Sequence, residues 1–213
     1  MKTLIVTAHP DPDSLTAAIA EQLRAALATD AVDATGDAEV DAASSVEVAD
    51  LAAEGFDPRF GAADRNAYRV GGEFPDDVAR EHRRLDAADH LVLVFPVWWW
   101  SMPALLKGWV DRVFVNGWAF DVGGADGEGG MRRNLGGLTV HLLLVAGDDA
   151  GTYEKHGYEQ ALEAQVGHGI IDYVGARRGA TAWVHDSERD DDAGRRLAVQ
   201  AAVAEVARAV RTR

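Results

Sequence analysis

The chain contains no cysteine. Disulfides and thiolate chemistry are therefore excluded, and structural zinc, which leans on cysteine ligands, is not expected. Lysine is scarce: Lys2, Lys107 and Lys155 are the only three among 21 basic residues, which face 35 acidic ones. The resulting net charge of −14 repels nucleic acid and anionic membrane surfaces, so neither is expected as a partner. No apolar run approaches the roughly 20 residues that a helix needs to cross a bilayer. The first residues enter a strand pattern directly and do not form a signal peptide, which makes a cytoplasmic location the expectation. Histidine and acidic residues never cluster at ligand spacing, so no metal site is expected either. A length of 213 residues suits a single domain with a sizeable core, interrupted by an acidic, small-residue insertion at about 29–43 that reads as a solvated loop.

What is present is an alternation of strand and helix patterns. Residues 2–8 form a short apolar run of the kind found in buried parallel strands. Ser14 then stands as an N-cap before a helix with Leu15, Ile19, Leu23, Ala26 and Leu27 on one face. Residues 45–51 alternate as an edge strand, followed by a long irregular connection through Gly71-Gly72. Pro75 opens a helix with Val78 and Leu85 inward; a third strand covers 90–95 and a helix follows Pro103 over 103–115. Further strands are expected at 138–145 and 180–184, with helices at 157–168 and 190–211, the last turning Leu197, Val203, Val206 and Val210 inward. Glycine-rich residues 123–130 lack the lysine and spacing of a phosphate-binding P-loop and read as a flexible connection. Right-handed crossovers then give an α/β three-layer sandwich with a mostly parallel five-stranded sheet. No G-x-G-x-x-G follows the first strand, which argues for the flavodoxin-like strand order 2-1-3-4-5. In that order the ligand lies beside the first and third strands.

The third strand leads straight to Pro96-Val97-Trp98-Trp99-Trp100, three consecutive indoles where a strand becomes a loop. A flat ligand held at the carboxyl edge of the sheet is one reading; rings plugging a core or a subunit interface is the other. After the first strand, His9, Ser14 and Thr16 surround the start of a helix, where free amides favour an anion; simple capping by Ser14 and a solvated His9 is the alternative. Ala146-Gly147-Asp148 flanks the same pocket from the fourth strand, or is an ordinary acidic turn. Tyr153 and His156, just before the helix expected at 157, offer a phenol and an imidazole for proton handling. His82, His141 and His168 lie within helix or strand patterns and are expected to be structural.

Taken together, these residues resemble the NAD(P)H:quinone oxidoreductase family of flavodoxin-like flavoenzymes. The resemblance rests on Ile5-Val6-Thr7-Ala8-His9 with Ser14, on the block FPVWWWSMPALLKGWVDRV from Phe95 to Val113, and on Tyr153 with His156-Gly157. It implies an enzyme, NAD(P)H dehydrogenase (quinone), that uses FAD, less expectedly FMN, with NAD(P)H as co-substrate and a quinone-like acceptor in a ping-pong cycle. It also implies a homodimer whose second subunit completes the pocket. Carried over residue by residue, it places His9, Ser14 and Thr16 at the flavin pyrophosphate. Pro96, Val97, Trp98, Trp99 and Trp100 then lie around the isoalloxazine, with Ala146, Gly147 and Asp148 on its other edge. Tyr153 and His156 become the catalytic pair, and Trp100 and Phe120 line the substrate pocket. Two departures stand out: Asp148 replaces a glycine, and the spacing from tyrosine to histidine is shorter than in the mammalian enzymes. A flavoprotein subunit attached to a potassium-efflux system and a one-electron flavodoxin-type carrier are the alternatives.

Overall fold

The computed structural model describes residues 1–28, 45–70, 73–123, 130–189 and 191–212. The acidic insertion at 29–43 and the interior of the glycine-rich stretch lie outside them. Five strands, β1 (Lys2–Thr7), β2 (Ser45–Asp50), β3 (His90–Pro96), β6 (Thr139–Val145) and β7 (Arg177–Val184), pair in parallel in the order β2-β1-β3-β6-β7. Setting aside a small hairpin, β4 (Phe120–Val122) and β5 (Met131–Arg133), this is the expected order 2-1-3-4-5. The continuous apolar runs of β1 and β3 are buried on both faces, whereas β2, with its alternating pattern, forms an edge.

Side chains of successive strand residues point to opposite faces. Ile5, Val92, Val94 and Leu143 therefore meet the helices α1 (Leu15–Ala28) and α7 (Asp192–Arg211). Leu4, Val6, Leu91, Leu93 and Phe95 meet the second layer, built from α3 (Asp76–Asp86), α4 (Ala104–Val113) and the later helices. The α7 face differs from expectation at one point. Leu197 is exposed, and Val199, Ala202, Val203, Val206 and Val210 form the buried stripe instead. Among the described residues no helix is long and apolar enough to cross a membrane.

The connection expected to be irregular contains a helix, α2 (Ala62–Val70). A buried arginine ties it down. Arg112 of α4 donates from Nε to Asp64 Oδ1 at 2.9 Å and from Nη1 to the Asp57 carbonyl at 2.8 Å, and makes a two-point contact with Asp77. The guanidinium holds the Asp77 carboxyl below its usual range. Gly108 lets this segment approach α4, since a Cβ there would lie 2.2 Å from the Pro58 carbonyl oxygen.

The helix expected at 157–168 is instead a broken series. α5 (Ala150–His156) stops at Gly157 with φ of 70°, and α6 (Tyr158–Leu162) follows and widens into π-helix over Glu163–Asp172. Tyr153 and His156 therefore lie within α5, not ahead of a helix. His141, one of the histidines expected to be structural, forms a buried pair with His90. The Ala180 N–H donates to His141 Nδ1 at 3.0 Å, which leaves the proton on His141 Nε2 to be donated to His90 Nδ1, also at 3.0 Å. Burial, and then His90, lower the His141 pKa to about 4. His82 is likewise buried, against the Val113 carbonyl and stacked on Trp118, while His168 is exposed beside Asp172.

Candidate functional site

A cleft of about 470 Å³ opens at the carboxyl edge of β1, β3, β6 and β7. Four segments build its walls. From β1 and the start of α1 come His9, Ser14, Leu15 and Thr16; after β3 come Pro96 to Trp100; Val145, Gly147, Asp148 and Tyr153 come from β6 and α5; Ser187 and Glu188 follow β7.

The start of α1 forms the end of the cleft with the character to attract an anion. Ser14 Oγ accepts from the Ala17 N–H at 3.2 Å, and the Ser14 carbonyl accepts from the Ala18 N–H. The amides of Leu15 and Thr16 belong to the first turn, where no helix carbonyl can reach them, so they remain donors at the positive end of the helix dipole. The loop before them is fixed by its own contacts. Asp13 N–H donates to Asp11 Oδ1 at 2.9 Å, and the Asp11 amide lies 3.1 Å from His9 Nδ1. With Nδ1 engaged by its own loop, Nε2 is the His9 nitrogen left for a ligand. Among the described residues no lysine or arginine lines the cleft. The groups there able to hold an anion are amides, hydroxyls and an imidazole.

The aromatic wall is a strained turn. Trp98 and Ser101 exchange backbone hydrogen bonds in both directions at 3.1 Å, closing a four-residue reversal whose central residues are Trp99 and Trp100. Both have positive φ, 50° and 62°, a conformation that costs a residue other than glycine about 1–2 kcal/mol. The turn is held from outside: Ser101 Oγ donates to Gln165 Oε1 at 2.8 Å, and Met102 and Pro103 are buried. Two consecutive bulky residues in this region constitute strain of the kind found at ligand sites. Their rings differ in setting. Trp99 is 92% exposed, Trp98 packs edge-on to His9 at 5.6 Å, and Trp100 stacks flat on Tyr158 at 3.8 Å.

Tyr153 packs against the same turn. It is almost wholly buried and surrounded edge-on by Trp100, Tyr158, Trp183 and His185. Burial, and then the charges of Asp148 and Glu159, push its phenol up to about 12. It is therefore a protonated hydrogen-bond donor at neutral pH. Asp149 caps α5 by accepting from the Thr152 N–H at 2.9 Å. The loops after β6 and β7 are joined by hydrogen bonds from Asp186 N–H to the Asp148 carbonyl and from Ser187 N–H to the Ala146 carbonyl.

Eleven sequence-named residues share this cleft: His9, Ser14, Thr16, Pro96, Val97, Trp98, Trp99, Trp100, Gly147, Asp148 and Tyr153. Three stand apart from its lining. Ala146 is buried beneath the loop; Phe120 packs on Tyr173 at 5.1 Å; His156 is exposed at the end of α5, stacked on Tyr158 at 5.3 Å. The sequence reading passed over Ser187 and Glu188, although they follow the last strand at the edge where such sheets bind ligands. It also passed over His185, which no motif marked. Among the described residues no group of three or more histidine and acidic side chains could hold a metal ion.

A profile of a family with the flavodoxin-like fold matches residues 1–208. The ribosyldihydronicotinamide dehydrogenase [quinone] of Mus musculus is 30% identical over 173 residues, covering 73% of this chain and 68% of the relative. The solved NAD(P)H:quinone oxidoreductase from Methanothermobacter marburgensis superposes with a TM-score of 0.77 at 25% identity, covering 96% of both chains. An FMN-dependent NADH-azoreductase from Bacillus anthracis, solved with FMN, shares the fold at a TM-score of 0.66 and 16% identity, covering 98% of this chain and 96% of that one.

Proposed function

The chain belongs to this flavodoxin-like fold family, and from that premise we propose that it is a flavin-dependent NAD(P)H oxidoreductase acting on quinones or similarly flat acceptors. The observation that carries the reading is one cleft with an anion-binding helix start at one end and a strained tryptophan turn beside a protonated tyrosine at the other. A flavin has the same polarity, a phosphate tail and a flat ring. The cleft also has the size of a cofactor site, a few hundred cubic ångströms.

When bound, the flavin supplies hydride transfer from the nicotinamide to the acceptor. The protein's share is placement and charge. Leu15 and Thr16 amides, Ser14 and His9 Nε2 hold the phosphate end; the 97–100 turn offers backbone groups and indole faces to the ring. Tyr153, kept protonated, donates a hydrogen bond where negative charge develops. An acceptor quinone gains a hydride and a proton and leaves as the hydroquinone, so a proton donor at this wall completes the balance. One open slot beside the ring suits a ping-pong order in which nicotinamide leaves before the acceptor enters. FAD is the proposed flavin. The preference for FAD over FMN rests on the family resemblance. A homodimer and a cytoplasmic location belong to the same proposal.

Purification, followed by identification of the flavin released on denaturation, tests the reading. Stoichiometric FAD that NADH or NADPH bleaches and a quinone reoxidises is the expected result. A protein that binds neither FAD nor FMN after soaking overturns it, and bound FMN removes the FAD assignment alone.

A further inference from the structure

Family resemblance points to His156 as the histidine that works with Tyr153, but the structure sets it apart. His156 lies at the exposed end of α5 and stacks on Tyr158; no ring contact joins it to Tyr153. A different histidine packs on the phenol. His185, at the end of β7, meets the Tyr153 ring edge-on with centroids 5.0 Å apart.

Three features fix that imidazole. Its face lies parallel to Trp183, with 5° between planes and centroids 5.3 Å apart. Its Nε2 is 3.4 Å from Glu159 Oε1. Its Nδ1 is buried and has no hydrogen-bond partner. A buried nitrogen without a partner is destabilising and uncommon in a well-packed region. Because the Trp183 ring is parallel to the imidazole, its in-plane N–H does not point at it. Tyr153 is therefore the polar ring set edge-on beside His185. The charged groups around the phenol are Asp148, in the loop after β6, and Glu159, on α6; Tyr158 is the third titratable neighbour. Glu159 is the same carboxylate that faces His185.

We propose that His185, anchored by Glu159 and Trp183, is the positioning residue of Tyr153. It holds the phenol at the cleft wall through the edge-on contact of the two rings. The inference rests on the oxidoreductase reading for its effect on turnover, and on geometry alone for the pairing. Position in the chain hides it. His185 and Tyr153 are separated by two helices and a strand, and they meet only because β6 and β7 are neighbours in the sheet.

The test has two readouts. In the flavin-free protein, ring-nitrogen and aromatic NMR signals of His185 and Tyr153 are compared between the wild type and the variants. Tyr153 ring signals should be displaced in His185→Phe, and Tyr153→Leu, which removes the contacting ring, should displace the His185 ring signals. With flavin bound, rapid mixing with NAD(P)H should show reduction slowed about tenfold or more in His185→Phe, as for loss of a proton-handling group. Flavin affinity should be close to that of the wild type, and His156→Ala should reduce at nearly the wild-type rate. His185→Gln is the second variant, should the phenylalanine prevent folding. Tyr153 signals that ignore His185, or a larger loss in His156→Ala than in His185→Phe, overturn the proposal. A wild type that neither nicotinamide reduces overturns the oxidoreductase reading and leaves the NMR coupling to decide the pairing.

Discussion

Replacing Trp99 and Trp100 separately by glycine tests whether the strain of the tryptophan turn serves a ligand. Both residues have positive φ, so each glycine relieves a similar backbone cost of about 1–2 kcal/mol. Against this, glycine adds freedom to the unfolded chain worth about 0.5–1 kcal/mol. The backbone ledger is therefore neutral to about 1.5 kcal/mol favourable at either position. The side chains separate the two. Trp99 is 92% exposed and buries almost nothing, so Trp99→Gly should match or exceed the wild type in urea unfolding of the flavin-free protein. Trp100 stacks on Tyr158 at 3.8 Å and meets Tyr153 edge-on. Losing a stacked pair costs about 0.5–1.5 kcal/mol beyond buried area, so Trp100→Gly should be the less stable variant. Flavin affinity, read by fluorescence quenching, should move the opposite way for Trp99. Loss of one indole face of about 1 kcal/mol weakens binding about fivefold. The reasoning is refuted if Trp99→Gly unfolds more than 1 kcal/mol more easily while flavin affinity is unchanged. That outcome would make the ring a packing element and the strain unrelated to the cleft.

Other consequences follow from the same geometry. Tyr153→Phe removes the phenol's proton and keeps its ring, so flavin should remain bound while quinone turnover falls about tenfold or more in steady-state assays. His141 binds its proton near pH 4 in the folded state against about 6.5 unfolded, so the unfolded state takes up more protons between those values and stability rises with pH across that window. Lowering the pH from 8 to 5 should therefore remove about 2 kcal/mol through this residue. His141→Leu, less stable at every pH for want of an acceptor for the Ala180 N–H, should show a correspondingly shallower slope in urea titrations; equal slopes would rule the pair out as the cause. Arg112→Met strands the buried Asp64 carboxylate and frees Asp77 and the 57–64 segment, at a cost of about 3 kcal/mol or more in chemical denaturation. A loss below 1 kcal/mol would mean that α2 is held by other contacts.

The sequence alone determined the alternation of elements, and with it the strand order. Apolar runs such as 91–95 admit one buried state, and the absence of a glycine fingerprint after β1 removed the competing topology. It also marked most of the cleft, because the residues that follow β1, β3 and β6 are consecutive in the chain and each loop bears its own chemical signature. The α2 helix was not legible. Its sequence is polar overall and offers chiefly alanines to a core, and what holds it is a charge contact with Arg112 from 48 residues away. The break at Gly157 and the π-helical turns beyond it were equally hidden, since packing and not local periodicity decides where a helix widens. The same holds for the proposed partner of Tyr153. Spacing along the chain offered Tyr153 with His156, three residues apart. Only the adjacency of β6 and β7 brings His185 onto the phenol and turns His156 outward, because which side chains touch across a sheet is set by strand pairing, and pairing is a property of the whole fold.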